Sequence, residues 1–248
     1  MDVILQDSIQ DRWLLDTGAG VQIVSQALFD QLDMVPAGHF TAFRMTGERF
    51  DVELFGLRSL QVAGYRKENV LVALWPVLDS MGISGIVSLK FFEDRALTID
   101  FVDNSLTVET ATSVERIAGN GTVVPIETQR YRDSGLDIFA VFKLGDSFKA
   151  EFEIDTGSGR RLWIDSRFLS KLAIDTTSDT VTKKPTDTGS WYITYLDRVS
   201  LWDSPSISTD SVRAIFRDNL IYDGVIGIGF WTDRAITIDI PNHRMIVR

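Results

Sequence analysis

Short apolar runs of strand length recur along this 248-residue chain, set off by clusters of Gly, Pro, Asn, Asp and Ser, while long stretches with helical periodicity are few. Val70-Leu71-Val72-Ala73-Leu74-Trp75 and Leu136-Asp137-Ile138-Phe139-Ala140-Val141-Phe142 have the length and the β-branched or aromatic content of strands. Met1-Asp2-Val3-Ile4-Leu5 reads the same way. The pattern predicts an all-β class, mostly β with short helices.

Two further runs, Leu14-Leu15 and Phe152-Glu153-Ile154, end in the same tripeptide: Asp16-Thr17-Gly18 and, 139 residues later, Asp155-Thr156-Gly157. The same shift places Gly85-Ile86-Val87-Ser88 on Gly224-Val225-Ile226-Gly227. It also places the run from Phe91 to Asp100 on the run from Phe230 to Asp239, with seven of ten residues identical. Three blocks in one register point to an internal duplication. The chain is long enough for two lobes of roughly 120 residues, each with its own core. The expected division is an N-terminal lobe over 1–112, a connection over 113–130 containing Gly119-Asn120-Gly121 and Pro125, and a C-terminal lobe over 131–248.

A single Asp-Thr-Gly is common in ordinary turns. Two copies, each behind a strand and in register with a repeated flank, have a chemical meaning. Two carboxylates brought within hydrogen-bond distance cannot ionise independently, so they titrate as a pair that shares one proton, behaviour for which pepsin is the standard worked example. One member can then take a proton from water while the other gives one to a carbonyl oxygen. Glycine allows a sharp turn and close approach, and a threonine hydroxyl can bond across to the partner loop.

These residues resemble the aspartic proteases of the retropepsin and pepsin clan, most closely the bacterial retropepsin-like aspartyl proteases, over nearly the whole chain. The resemblance implies a two-lobed acid-protease fold with the active site between the lobes. Each lobe would run through a strand, an Asp-Thr-Gly loop, a short helix, a hairpin and an apolar-apolar-Gly segment. The helix candidates lie around Ser25 to Leu32 and Ser166 to Leu172. The catalytic pair would be Asp16 and Asp155. Thr17 and Thr156 would interlock the loops, supported by Gly18, Gly157 and Ser158, whose hydroxyl is placed to bond its own carboxylate. The hairpin at Met45-Thr46-Gly47 is the candidate flap over the substrate. A second hairpin at Thr188-Gly189-Ser190 leaves open whether there is one flap or two. Ser88 departs from the family pattern, because it brings a hydroxymethyl group to a close backbone crossing where Gly227 stands in the other half. Ala19 beside Asp16, lacking the hydroxyl of Ser158, predicts a raised proton affinity and a neutral pH optimum.

A third Asp-Thr-Gly, at Asp187-Thr188-Gly189, follows Lys183-Lys184-Pro185-Thr186 and not an apolar run, and Trp191-Tyr192-Ile193-Thr194-Tyr195 after it reads as a returning strand. It is a turn and not a site.

A net charge of −10 and the lack of any basic stripe exclude a nucleic-acid partner. The longest apolar stretch, Val70 to Leu78, contains Pro76 and is too short to span a bilayer. Cysteine is absent, which removes thiol nucleophiles, thiolate metal sites and disulfides while fitting either a reducing cytosol or a periplasm. The only histidines, His39 in a loop after Pro36-Ala37-Gly38 and His243 in a turn, read as surface residues. No serine-hydrolase elbow, zinc helix or phosphate loop is present. No signal peptide is seen ahead of the first strand. The expected compartment is therefore periplasmic or exported with a leader missing from this sequence, or else cytoplasmic.

The expectation is an aspartic endopeptidase acting on a peptide or protein substrate in the inter-lobe cleft, with no metal and no organic cofactor. The alternative is a catalytically silent peptide-binding relative, for which Ser88 and the unequal Ala19 and Ser158 speak. A monomer is expected, since the near-unbroken register favours pairing of lobes within one chain over pairing between chains.

Overall fold

The computed structural model describes residues 1–131, 134–145, 148–159, 162–186 and 189–248. Strands dominate it, and the α-helices are short: Gln26–Phe29, Val77–Met81, Ala111–Ala118 and Phe168–Lys171. The mostly-β expectation holds. Among the described residues the strands form an eight-stranded sheet from the first half, an eight-stranded sheet from the second and a five-stranded sheet built from both.

The two large sheets share a core arrangement. Leu14–Leu15 runs parallel to Gly85–Val87, which is antiparallel to Gln22–Val24, itself parallel to Tyr65–Leu74. In the second half Phe148–Ile154, Gly224–Ile226, Leu162–Asp165 and Ser208–Arg217 follow the same order with the same senses. The registers also correspond: Leu15 faces Val87, and Ile154 faces Ile226. The shared sheet joins the halves through Ala96–Asp100 and Ala235–Asp239, where Thr98 faces Thr237 with the hydroxyl oxygens 2.8 Å apart.

In each half the short Gly-initiated strand threads between the strand entering the Asp-Thr-Gly loop and the strand leaving it. That crossing leaves no room for a side chain at its first residue. A Cβ on Gly85 would collide with the indole of Trp13, which is itself buried, and one on Gly224 would meet the carbonyl of Trp163 and the ring of Phe152. One continuous hydrophobic cluster then spans both halves, with Phe142 packed on Phe152 at 5.4 Å and against Phe230 at 5.3 Å.

Several local expectations are corrected. The segment read as a connection is well structured: Thr110 and Ser113 form a capping box that opens the helix Ala111–Ala118, whose Val114 and Ile117 pack with Ala96 and Ile246. Thr122–Pro125 then becomes the outer strand of the shared sheet. The helix candidate at Ser25 to Leu32 contracts to Gln26–Phe29, with the Ser25 hydroxyl accepting from the Leu28 N–H, and the other contracts to Phe168–Lys171. His39 lies within the strand Val35–Phe43, not in a loop, because a register shift between Pro36 and Gly38 absorbs the glycine. Ser88 fits its crossing by using its hydroxyl, which bonds Gln22 Oε1 at 2.5 Å and accepts from the Lys90 N–H at 3.2 Å. Of the third Asp-Thr-Gly, Asp187 and Thr188 lie outside the described residues; the strands flanking them, Thr182–Thr186 and Gly189–Leu201, are antiparallel. No helix among the described residues is long and apolar enough to cross a membrane.

Gly85→Ala and Gly224→Ala should each destabilise the protein by about 1–3 kcal/mol through overpacking. Gly119→Ala should be nearly neutral, because its backbone is right-handed at φ −68° and an added Cβ meets its nearest atoms at 3.6 Å. Thermal melts of the three variants check this; equal melting temperatures would remove the threading argument.

Candidate active site

The two Asp-Thr-Gly loops meet at the interface of the halves through a reciprocal set of bonds. The Thr17 N–H donates to Thr156 Oγ1 at 3.1 Å, and the Thr156 N–H donates to Thr17 Oγ1 at 3.0 Å. Each hydroxyl in turn donates across to the strand that carries the other loop: Thr17 to the Ile154 carbonyl at 2.6 Å, Thr156 to the Leu15 carbonyl at 2.9 Å. Thr17 is wholly buried. The threading strands fix the aspartates from behind, with the Asp16 N–H donating to Val87 and the Asp155 N–H to Ile226, both at 3.0 Å.

The carboxylates are held from their own loops. Asp16 Oδ1 accepts from the Gly18 N–H at 3.0 Å, and Asp155 Oδ1 accepts from the Gly157 and Ser158 N–H groups at 2.7 and 3.0 Å. The glycines are needed for the approach: a Cβ on Gly18 would lie 2.6 Å from the Asp155 carboxyl carbon, and one on Gly157 would overlap the Asp16 carboxylate. Ser158 supports its aspartate through its backbone only, and its hydroxyl is buried with no hydrogen-bond partner among the described residues. Burial first, then the negative charge of Asp16 and the hydrogen bond shared with it, push Asp155 up to about 8. The Gly157 and Ser158 N–H groups act in the opposite direction and lose.

Over the pair lies a cavity of about 540 Å³. Its roof is the hairpin of Val35–Phe43 and Arg49–Val62, whose turn carries Met45, Thr46 and Gly47. Gly47 adopts φ +75°, the left-handed backbone that this turn requires. Met45 and Thr46 line the cavity, and the roof is docked on the opposite half: the Ile221 N–H donates to the Met45 carbonyl at 2.9 Å, and Met45 packs on the cluster of Trp163, Ile193, Ile215, Leu220 and Val225. Gly47 does not line the cavity. The hairpin of Thr182–Thr186 and Gly189–Leu201 contributes no cavity-lining residue among those described.

Four residues that sequence reasoning passed over complete the wall: Asp137, Glu153, Tyr131 and Tyr222. Glu153 interrupts the apolar run just before Asp155, and Asp137 interrupts the run Leu136 to Phe142. An acid inside a buried strand was the available signal. Burial, with the Asp16 charge adding and Tyr131 partly offsetting, pushes Asp137 up to about 7. Burial together with the charges of Asp137, Asp155 and Asp16 drives Glu153 well above the usual carboxylate range.

No protein-family model matches this sequence, and no curated protein matches it. Solved structures do match by shape. A retropepsin-like aspartic protease from Rickettsia conorii aligns with 51% of this chain and 88% of its own, at 15% identity and a TM-score of 0.37. Conglutin gamma, a unique basic 7S globulin from lupine seeds, aligns with 100% of this chain and 94% of its own at 10% identity and a TM-score of 0.53. The basic 7S globulin from soybean aligns with 96% and 87% at 9% identity and a TM-score of 0.54. At such identities likeness speaks for the fold alone, and that fold is shared over nearly the whole chain with the two globulins.

Proposed function

We propose that this chain is an aspartic endopeptidase that hydrolyses extended polypeptides by water activated between Asp16 and Asp155. The observation that carries this reading is the reciprocal Thr17–Thr156 bonding, which holds two carboxyls together beneath a docked hairpin. An extended substrate would enter the cavity under that hairpin and pair with exposed backbone, so that alternate side chains meet the walls. With one proton on the pair, the ionised carboxylate takes a proton from water as its oxygen attacks the amide carbon, and the protonated carboxyl gives its proton to the carbonyl oxygen. The resulting tetrahedral species collapses as a proton passes to the departing nitrogen, and the shared proton is restored. Thr17, Gly18, Thr156 and Gly157 hold the geometry, and Met45 and Thr46 close over the substrate. No metal or organic cofactor enters this chemistry.

A second reading, a peptide-binding protein without turnover, has a specific support: the solved structures that this chain spans nearly end to end are named as seed globulins. Ser158, whose hydroxyl leaves Asp155 unassisted, points the same way. Turnover distinguishes the two. Incubation with a diverse peptide mixture between pH ~4 and ~9 should yield cleavage products by mass spectrometry. Asp16→Asn and Asp155→Asn should each lower kcat/KM by on the order of 10³-fold or more with the fold intact. Absence of cleavage from a folded parent at every pH would favour the second reading.

The raised Asp155 sets the pH dependence. A raised pKa means that the folded protein favours the neutral form, so its contribution to stability is full below the ordinary value of 3.8 and is lost as pH rises through about 8. The one-proton state disappears over the same upper limb. Cleavage should therefore persist at neutral pH and fall as pH rises through about 8, and the melting temperature should decline across that range less steeply in Asp155→Asn than in the parent. A pH–rate profile confined to acid would contradict this.

A further inference from the structure

Strand alternation puts a second pair of acids beside the first. Phe139 faces Glu153 across the antiparallel strands Gly135–Leu144 and Phe148–Ile154, so Asp137, Phe139 and Glu153 share one face, continued by Asp155. Asp137, Glu153 and Asp155 on that face line the cavity under the hairpin. The Leu136 N–H donates to the Gly20 carbonyl at 3.1 Å, which brings Asp137 against the loop that carries Asp16. Asp137 and Glu153 are each only 6% exposed.

Neither acid has a cationic partner among the described residues. Glu153 accepts no side-chain hydrogen bond there, and Asp137 Oδ1 is buried without a hydrogen bond, with Tyr131 only partly offsetting its raised proton affinity. Of the described residues, two arginines line the cavity and both are engaged elsewhere: Arg44 pairs with Glu48 at 3.1 Å and lies over Phe50, and Arg217 lies over Trp191. Buried carboxyls without a cation hold their protons, and a cationic side chain that brings its own hydrogen-bond donors favours their ionised form. The acids do not converge as metal ligands, for no group of three or more His, Asp or Glu side chains among the described residues is disposed to hold an ion. Tyr222 lines the cavity beside them, held edge to face on buried Phe139 at 4.9 Å, and offers an aromatic surface to the methylene stem of a long side chain.

We infer that Asp137 and Glu153 form a specificity pocket for a lysine or arginine side chain of the substrate, at one of the two positions flanking the scissile bond. The inference rests on the peptide-binding cleft of the proposed endopeptidase. It assigns the substrate a basic residue next to the bond cut.

A capped hexapeptide library randomised at its two central positions tests this in two arms, binding to immobilised Asp16→Asn protein and cleavage by the parent, both read by mass spectrometry. Lysine and arginine should be enriched at one central position by about tenfold or more over norleucine, leucine and methionine, the discrimination expected when a buried charge meets its counter-charge. The enrichment should fall to near unity in Asp137→Asn/Glu153→Gln and partway in each single variant; the singles decide if the double variant melts early. Apolar preference, uniform retention or no retention overturns the pocket. So does an excess of basic residues at every position, which reflects only the net charge of −10. Cleavage without basic bias leaves the endopeptidase reading standing and removes this one. Basic-selective binding without cleavage at any pH does the reverse.

Discussion

Two threonines hold the two Asp-Thr-Gly loops of this molecule together. Each hydroxyl is at once donor and acceptor, giving its proton to a strand carbonyl of the opposite half and taking one from the opposite threonine's N–H. In a buried setting such a set is all-or-none, since removing one oxygen strands polar groups on both sides. The bonds run between the halves. They therefore convert the internal order of each half into the relative position of two carboxyls.

What the threonines position is electrostatically expensive. Asp16 and Asp155 are brought to a separation at which both cannot be ionised cheaply, and Gly18 and Gly157 permit the approach by having nothing to collide. Backbone N–H groups soften the cost for Asp155 without cancelling it. Asp137 and Glu153 add two more carboxyls to the same cavity wall, so its character is strongly acidic although the pocket is lined largely by apolar groups. A fold seeking stability alone would fill these positions with leucine or valine. Buried acids with raised proton affinity at a cleft are functional-site candidates.

The rest of the architecture braces this centre. The Gly-initiated strands anchor both aspartate N–H groups from behind, the shared sheet clamps the halves at Thr98 and Thr237, and the hairpin reaches from one half to dock Met45 on the other. The threonine bonds, the shared sheet and the hairpin thus cross the interface, while the Gly-initiated strands brace each half from within. The hairpin contact, among the described residues, rests on one main-chain bond and the packing of Met45, the weakest of the three.

Sequence alone determined what is local or periodic. Apolar runs of strand length located strands, and the 139-residue shift that aligned the two Asp-Thr-Gly loops reappears in the pairings of Thr17 with Thr156 and Thr98 with Thr237. Thr110, Ser113, Val114 and Ile117 also carried a legible helix signal, passed over because Gly119-Asn120-Gly121 dominated the segment. Other features depended on which strand lies beside which. Ser88 looked like a misfit until Gln22 came within reach of its hydroxyl. Glu153 and Asp137 looked like isolated acids in apolar runs until strand pairing placed them on one face beside Asp155. Residues far apart in the chain become neighbours through long-range pairing, and the burial that raises their proton affinity exists only once the two halves have closed. Tertiary structure therefore decided the electrostatics of the site, and with them the chemistry that the cleft can perform.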